Sequence, residues 1–204
     1  MTDKLGFFAT VQADLQSYAD FNEMPLKSVM HYIDVLMRPG PMAVILFRMT
    51  TFCHQAGLRP ISRILYIMNT VIFGASLPPA AQVGPGLVIP HPVGMGFAGP
   101  CKIGKNVRLF GGVILGAAGY EDRSADGFPT VGDGCFIFSR AQVMGPVEIG
   151  DDAIIGVNAV VTKSIPAGAI ALGAPARVVR WRAGYGPPTP SPAAAGEGGG
   201  EGPP

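Results

Sequence analysis

Between Val83 and Val161 an apolar residue returns every six positions. The series runs Val83, Ile89, Met95; then Phe97, Ile103, Leu109, Leu115; then Val131, Ile137, Val143, Ile149, Ile155, Val161. Gly often follows at once, as at Gly84, Gly104, Gly132, Gly150 and Gly156. Four positions after the repeating residue comes a second small or branched one: Leu87, Val107, Val113, Ala141, Val147, Ala153, Ala159. Neither a helix of period 3.6 nor a strand of period 2 requires a period of six. A parallel β-helix does, because each short face repeats one inward residue and each corner turns on a small one. Stacked coils then bury a continuous apolar core that no single coil could bury alone.

The repeat stops from Gly116 to Thr130, a polar, Gly-rich stretch with Tyr120, Glu121, Asp122, Arg123 and Asp126. Such an insertion has to leave the prism as a loop, and loops hung on rigid scaffolds are where binding residues concentrate.

Before the repeat the period changes to that of helices. Phe8–Phe21 and Leu26–Met37 carry apolar residues at three- and four-residue spacing. Pro39-Gly40-Pro41 reads as a break, a helix follows to about Gln55, and Gly57 to Pro60 reads as a second break. A last helix, Ile61 to Phe73, stops at Gly74 and delivers the chain to the first coil. The tail from Trp181 to Pro204 is rich in Pro, Gly and Ala, and from about Tyr185 it reads as disordered. The expected organisation is therefore a helical region over 1–76, a mainly β parallel β-helix over 77–180 with a loop at 116–130, and a tail over 181–204.

Composition narrows the function classes. A chain of 204 residues, 48% hydrophobic, is long enough for one domain with a real core. A net charge of +1 without a basic stripe argues against nucleic acid. Cys53, Cys101 and Cys135 stand singly, with no spacing for a disulfide framework or a zinc site, so no metal is expected and a reduced, cytoplasmic setting is. The N-terminus lacks the apolar stretch of a signal peptide. Met42–Cys53 contains Arg48, and Ile64–Leu77 falls short of the roughly 20 residues a spanning helix needs, so both read as buried helices.

Several segments carry a family likeness. They are Arg38-Pro39-Gly40 with the helix containing Arg48, Phe73 to Gly84, Ile89-Pro90-His91, Leu115-Gly116, and Pro129 to Gly134. The run Val160 to Gly168 and Gly173-Ala174-Pro175-Ala176-Arg177 complete the set. Through these, residues 36 to 180 resemble the hexapeptide-repeat acyltransferases of the serine acetyltransferase group, and within it the exopolysaccharide-associated, colanic acid type. The resemblance implies a left-handed prism, a homotrimer or pair of trimers with sites between subunits, and acetyl-CoA as co-substrate.

The resemblance also implies site residues. His91 falls at the family's catalytic histidine. Acyl transfer from a thioester to an alcohol needs a base, and imidazole takes and returns a proton near neutral pH. Gly116, Ala117, Ser139 and Val157 match backbone positions that bind pantetheine, and Lys163, Arg177 and Arg180 lie near the phosphate end. Asp20 corresponds to an acceptor-binding aspartate. The departures lie on the acceptor side. Ser76 and Pro90 stand where the family has aspartates, and Gly127-Phe128 stands where an Arg-His pair holds the serine carboxylate.

Phe128 and Tyr120 are thus candidates to stack on a sugar face. Phe138 stands at a corner that usually holds Gly, where it narrows the pantetheine channel or packs on another subunit. The expected function is O-acetyl transfer to a hydroxyl of a small acceptor, a sugar before serine. A catalytically silent scaffold is the rival. A γ-type carbonic anhydrase would need three prism histidines on zinc, and only His91 lies there.

Overall fold

The computed structural model describes residues 5–119 and 127–187. Four helices come first: α1 (Phe7–Phe21), α2 (Val29–Leu36), α3 (Pro39–Gln55) and α4 (Arg59–Phe73). Thirteen short strands follow: β1 (Gln82–Val83), β2 (Gly96–Phe97), β3 (Lys102–Ile103), β4 (Arg108–Leu109), β5 (Ile114–Gly116), β6 (Thr130–Val131), β7 (Phe136–Ile137), β8 (Gln142–Met144), β9 (Glu148–Ile149), β10 (Ile154–Ile155), β11 (Val160–Val161), β12 (Ala169–Leu172) and β13 (Arg177–Trp181).

The strands form three sheets that the chain visits in rotation. One holds β1-β3-β6-β9, the next β4-β7-β10-β12-β13, and the third β2-β5-β8-β11. All pairings are parallel except the β12–β13 hairpin that closes the series. Phe136 pairs with Ile154 and Gln142 with Val160, each eighteen residues on, so one coil is three hexapeptides. This is the parallel β-helix that the six-residue period predicts. The inward residues Ile103, Leu109, Leu115, Val131, Ile137, Val143, Ile149, Ile155 and Val161 are all buried.

The second inward column also includes two cysteines. Cys101 and Cys135 occupy the same place as Val107, Ala141 and Ala153, and both are fully buried. They serve as small core side chains.

The corners need left-handed backbone. Gly74, Gly94, Gly112, Arg140 and Asn158 all have positive φ and stack in one column, which we term the His91 corner. Arg140, at φ 61°, pays the steric cost that its glycine neighbours avoid.

The helical region differs from expectation in two places. Pro39-Gly40-Pro41 does not break the chain; it forms the first turn of α3, where a missing N–H is harmless. Nor is the Ile64–Leu77 segment a buried helix. α4 buries Ser62 and Asn69, whose side chains donate to Thr50 O (2.9 Å) and Ala43 O (3.1 Å), while Ile64, Met68, Val71 and Ile72 stay exposed. Its one-sided packing on α3 uses the polar stripe. Among the described residues no helix is long and apolar enough to cross a membrane.

A buried ion pair joins helices to prism. Arg48 Nε donates to Asp14 Oδ2 at 2.8 Å, and Arg48 also donates to Val83 O and Gly84 O. Asp14 Oδ1 accepts from the amides of Gly86 and Leu87 at 2.8 Å each. Burial pushes the Asp14 carboxyl up, against the pull of Arg48 and these two amides. α1 and α3 are thereby tied to the first coil.

At the other end the ordered body passes the boundary expected at residue 180. Trp181 ends β13 and packs against the core, Arg182 pairs with Asp152 (3.1 Å), and Tyr185 donates to Asp152 Oδ2 (2.7 Å). The tail from residue 188 and the loop residues 120–126, Tyr120 among them, lie outside the described residues.

Candidate active site

The coil that carries His91 is two residues too long. Val88 bridges to Arg108, twenty positions on, whereas Gly96 pairs with Ile114, eighteen positions on. Leu109 N donates to Val88 O, and Gly112 N to Val93 O, so the surplus falls between Ile89 and Val93. His91 is therefore pushed out at a corner, exposed, with buried Pro92 behind it. The sequence held the signal. The true inward successor of Ile89 is Phe97, and Met95, counted in the six-residue series, belongs to the second column with Val113.

Two glycines seat this bulge. A Cβ on Gly111 would stand 2.9 Å from His91 O and 3.4 Å from His91 Cβ. A Cβ on Gly40 would run into the carbonyl of Ile89, so the start of α3 lies against the backbone just before His91. Among the described residues no side chain hydrogen-bonds His91. Ser76, at the family's aspartate position, is engaged elsewhere: its hydroxyl lies 2.8 Å from Tyr66 Oη.

The remaining candidates divide between two corners. Ser139 and Val157 stack on the His91 corner, where Asn158 N donates to Ser139 O at 3.0 Å. Asp20, exposed near the end of α1 and bound to Gln16 Nε2 (2.7 Å), belongs to the same side. Its neighbour Phe21 meets Phe110 edge-on at 5.9 Å, and Phe110 precedes Gly111. Gly116 and Ala117 lie at the opposite edge of the β2-β5-β8-β11 sheet, as does Lys163 beyond β11. Arg177 opens β13, exposed, with Nη1 donating to Ala176 O.

Phe128 is also away from His91 within the chain. Its ring covers Gly99 and the margin of the core, and it lines a shallow groove of about 120 Å³ with Lys102, Thr130 and Glu148. Phe138 stacks on Phe110 at 4.8 Å with the rings 16° apart.

Nucleophiles other than the acceptor are poor. Burial pushes the thiols of Cys101 and Cys135 up to about 12, so neither supplies thiolate near neutral pH. Among the described residues no group of three metal-binding side chains comes together.

A prism of hexapeptide coils with one histidine at a corner defines the hexapeptide transferase class. Residues 128–163 match the bacterial transferase hexapeptide model of six repeats. A serine acetyltransferase of Helicobacter pylori strain J99 is 33% identical over 145 residues, covering 71% of this chain and 84% of that protein. The Mycobacterium tuberculosis serine acetyltransferase is 34% identical over 141 residues, 69% of this chain, and this chain spans only 61% of it. A solved serine acetyltransferase in complex with CoA superposes with a TM-score of 0.74 at 27% identity, over 85% of this chain and 69% of that one. The chain belongs to the serine acetyltransferase family of hexapeptide transferases. The narrower exopolysaccharide likeness finds no support in these comparisons.

Proposed function

We propose that the protein is an acetyl-CoA-dependent O-acetyltransferase with His91 as its base. The observation that carries this is the two-residue bulge that sets His91 out at a prism corner, over Gly111. His91 takes the proton of the acceptor hydroxyl while that oxygen attacks the thioester carbonyl. The C–S bond then breaks, and the proton passes to the leaving thiolate of CoA. The transfer is direct, with no acyl-enzyme, in keeping with the raised Cys101 and Cys135 thiols.

Acceptor identity has two readings. The relatives' name supports L-serine better than the sugar expected from the sequence. The acceptor side of this chain favours a hydroxyl on another molecule, such as a sugar. Ser76 pairs with Tyr66 in place of an aspartate, and Gly127-Phe128 replaces the Arg-His pair, with Lys102 lining the groove beside Phe128. An amino acid bound without that pair would hold unpaired charge, which is costly.

The cofactor positions support a homotrimer. Ser139 and Val157 lie on one corner, and Gly116, Ala117 and Lys163 on the next. A pantetheine chain held by both sets fits a cleft where one prism's corner meets the other corner of its neighbour, with cations near the phosphates. Left-handed coils, on a cyclic axis, complete the reading.

The experiment is thiol release from acetyl-CoA with L-serine and with free and nucleotide-linked sugars, beside light scattering for mass. Acceptor-dependent release by a trimer or hexamer is expected. Acetyl-CoA left intact with every acceptor would end the enzyme reading in favour of a silent scaffold, and a monomer at micromolar concentration would end the inter-subunit site.

A further inference from the structure

Phe138 stands at a corner that holds Gly156 on the next coil, and the structure gives it a partner. Phe110 and Phe138 occupy the same place on successive coils, one residue before Gly111 and Ser139. Their rings stack at 4.8 Å and 16°, and both are half-buried. Phe21 closes one end edge-on at 5.9 Å, and Phe136 extends the stack at 6.4 Å. Gly111 next to Phe110 is the residue on which His91 rests. A continuous aromatic wall thus runs from Phe21, next to Asp20 on α1, through Phe110, next to the seat of His91, to Phe138 and Phe136.

We propose that Phe110 and Phe138 form the acceptor-side wall of the His91 site and select a hydroxyl carried on a pyranose ring over the hydroxyl of L-serine. This rests on the O-acetyltransferase reading and decides between its two acceptors. The stacked rings of Phe110 and Phe138 present apolar area, and the Arg108 guanidinium lies at the rim, 4.6 Å from the Phe136 ring centre and 5.9 Å from that of Phe21. A pyranose has an apolar C–H face to lay on such a surface while its hydroxyls point to the rim. Free serine has only one methylene to lay on the rings, so the wall adds little to its binding. The equivalent residue on the next coil is Gly156, so the backbone at this place accepts a residue with no side chain.

Two measurements test this. The first is saturation-transfer NMR on the full-length wild-type protein, irradiating the aromatic protons, with methyl β-D-glucopyranoside, N-acetyl-D-glucosamine and L-serine as probes. Transfer to the pyranose ring protons, weakened in Phe138→Gly, supports the wall; no transfer to either sugar overturns it. The second is kcat/KM for thiol release with the same acceptors. Phe138→Gly should lower the ratio of sugar to serine by about 10-fold or more, within the range a reshaped pocket supplies. A wild-type enzyme that prefers serine, with a ratio unmoved by Phe138→Gly, overturns the wall while leaving the acetyltransferase standing. No thiol release with any acceptor sinks the activity, and the NMR result on wild type then decides the wall by itself. It also decides if the variant fails to fold.

Discussion

His91 and Gly111 face one another across successive coils, and a single methyl on Gly111 would sit 2.9 Å from the His91 carbonyl. The corner as such accepts side chains, since Ser139 and Val157 hold the same place on later coils. Only the bulge above forbids one at Gly111. Gly111→Ala should therefore displace His91 and lower kcat about 10- to 100-fold, because a misplacement near 1 Å costs on that order. The melting temperature should fall by only a few degrees. Steady-state kinetics beside a thermal melt check this; full activity in Gly111→Ala would show that the contact does not position the base.

Arg140 holds a left-handed φ of 61° in a column otherwise made of Gly74, Gly94, Gly112 and Asn158. Removing the side chain relieves strain worth about 1–2 kcal/mol. The entropy that glycine adds to the unfolded chain takes back part of it, leaving a net gain of about 0.5–1 kcal/mol. Arg140→Gly should raise the denaturation midpoint in urea without changing the slope. A lower midpoint would mean that the arginine makes contacts that outweigh its backbone strain.

Cys135 is a core residue in a column that also contains Ala141, Ala153 and Ala159. Cys135→Ala should cost about 1–2 kcal/mol from lost packing and leave turnover unchanged. At pH 8, with the thiols of Cys101 and Cys135 pushed up to about 12, a maleimide should label the half-buried Cys53 and spare the other two in the folded protein. Loss of turnover in Cys135→Ala, with the fold intact by circular dichroism, would point to a thiol in the chemistry.

The prism was legible in the sequence because its cause is one-dimensional. A residue every six positions faces inward whatever the rest of the chain does, and Ile103 to Val161 obey that rule without long-range information. The bulge at His91 was legible too, as the slip from Ile89 to Phe97, but Met95, an inward residue of the second column, falls six positions after Ile89 and masks it. Long-range pairs left no such trace. Asp14 meets Arg48 across 34 residues, and Tyr66 meets Ser76 only because α4 turns back onto the first coil. Asp14 did leave one mark, a charge on the buried face of an amphipathic helix beside Leu15 and Tyr18. The stacking of Phe138 on Phe110 depends on coil register across the ten-residue insertion between β5 and β6, which periodicity alone does not count.

The most direct test of the central claim is the rate of CoA thiol release from acetyl-CoA by wild type and His91→Ala, with L-serine and a pyranose acceptor at saturation. CoA binding is measured in parallel by calorimetry. Loss of the base should cost about 10²–10⁴-fold in kcat, with CoA affinity within a few fold of wild type. A His91→Ala enzyme with undiminished turnover would remove His91 from the mechanism and leave the prism corner without its chemistry.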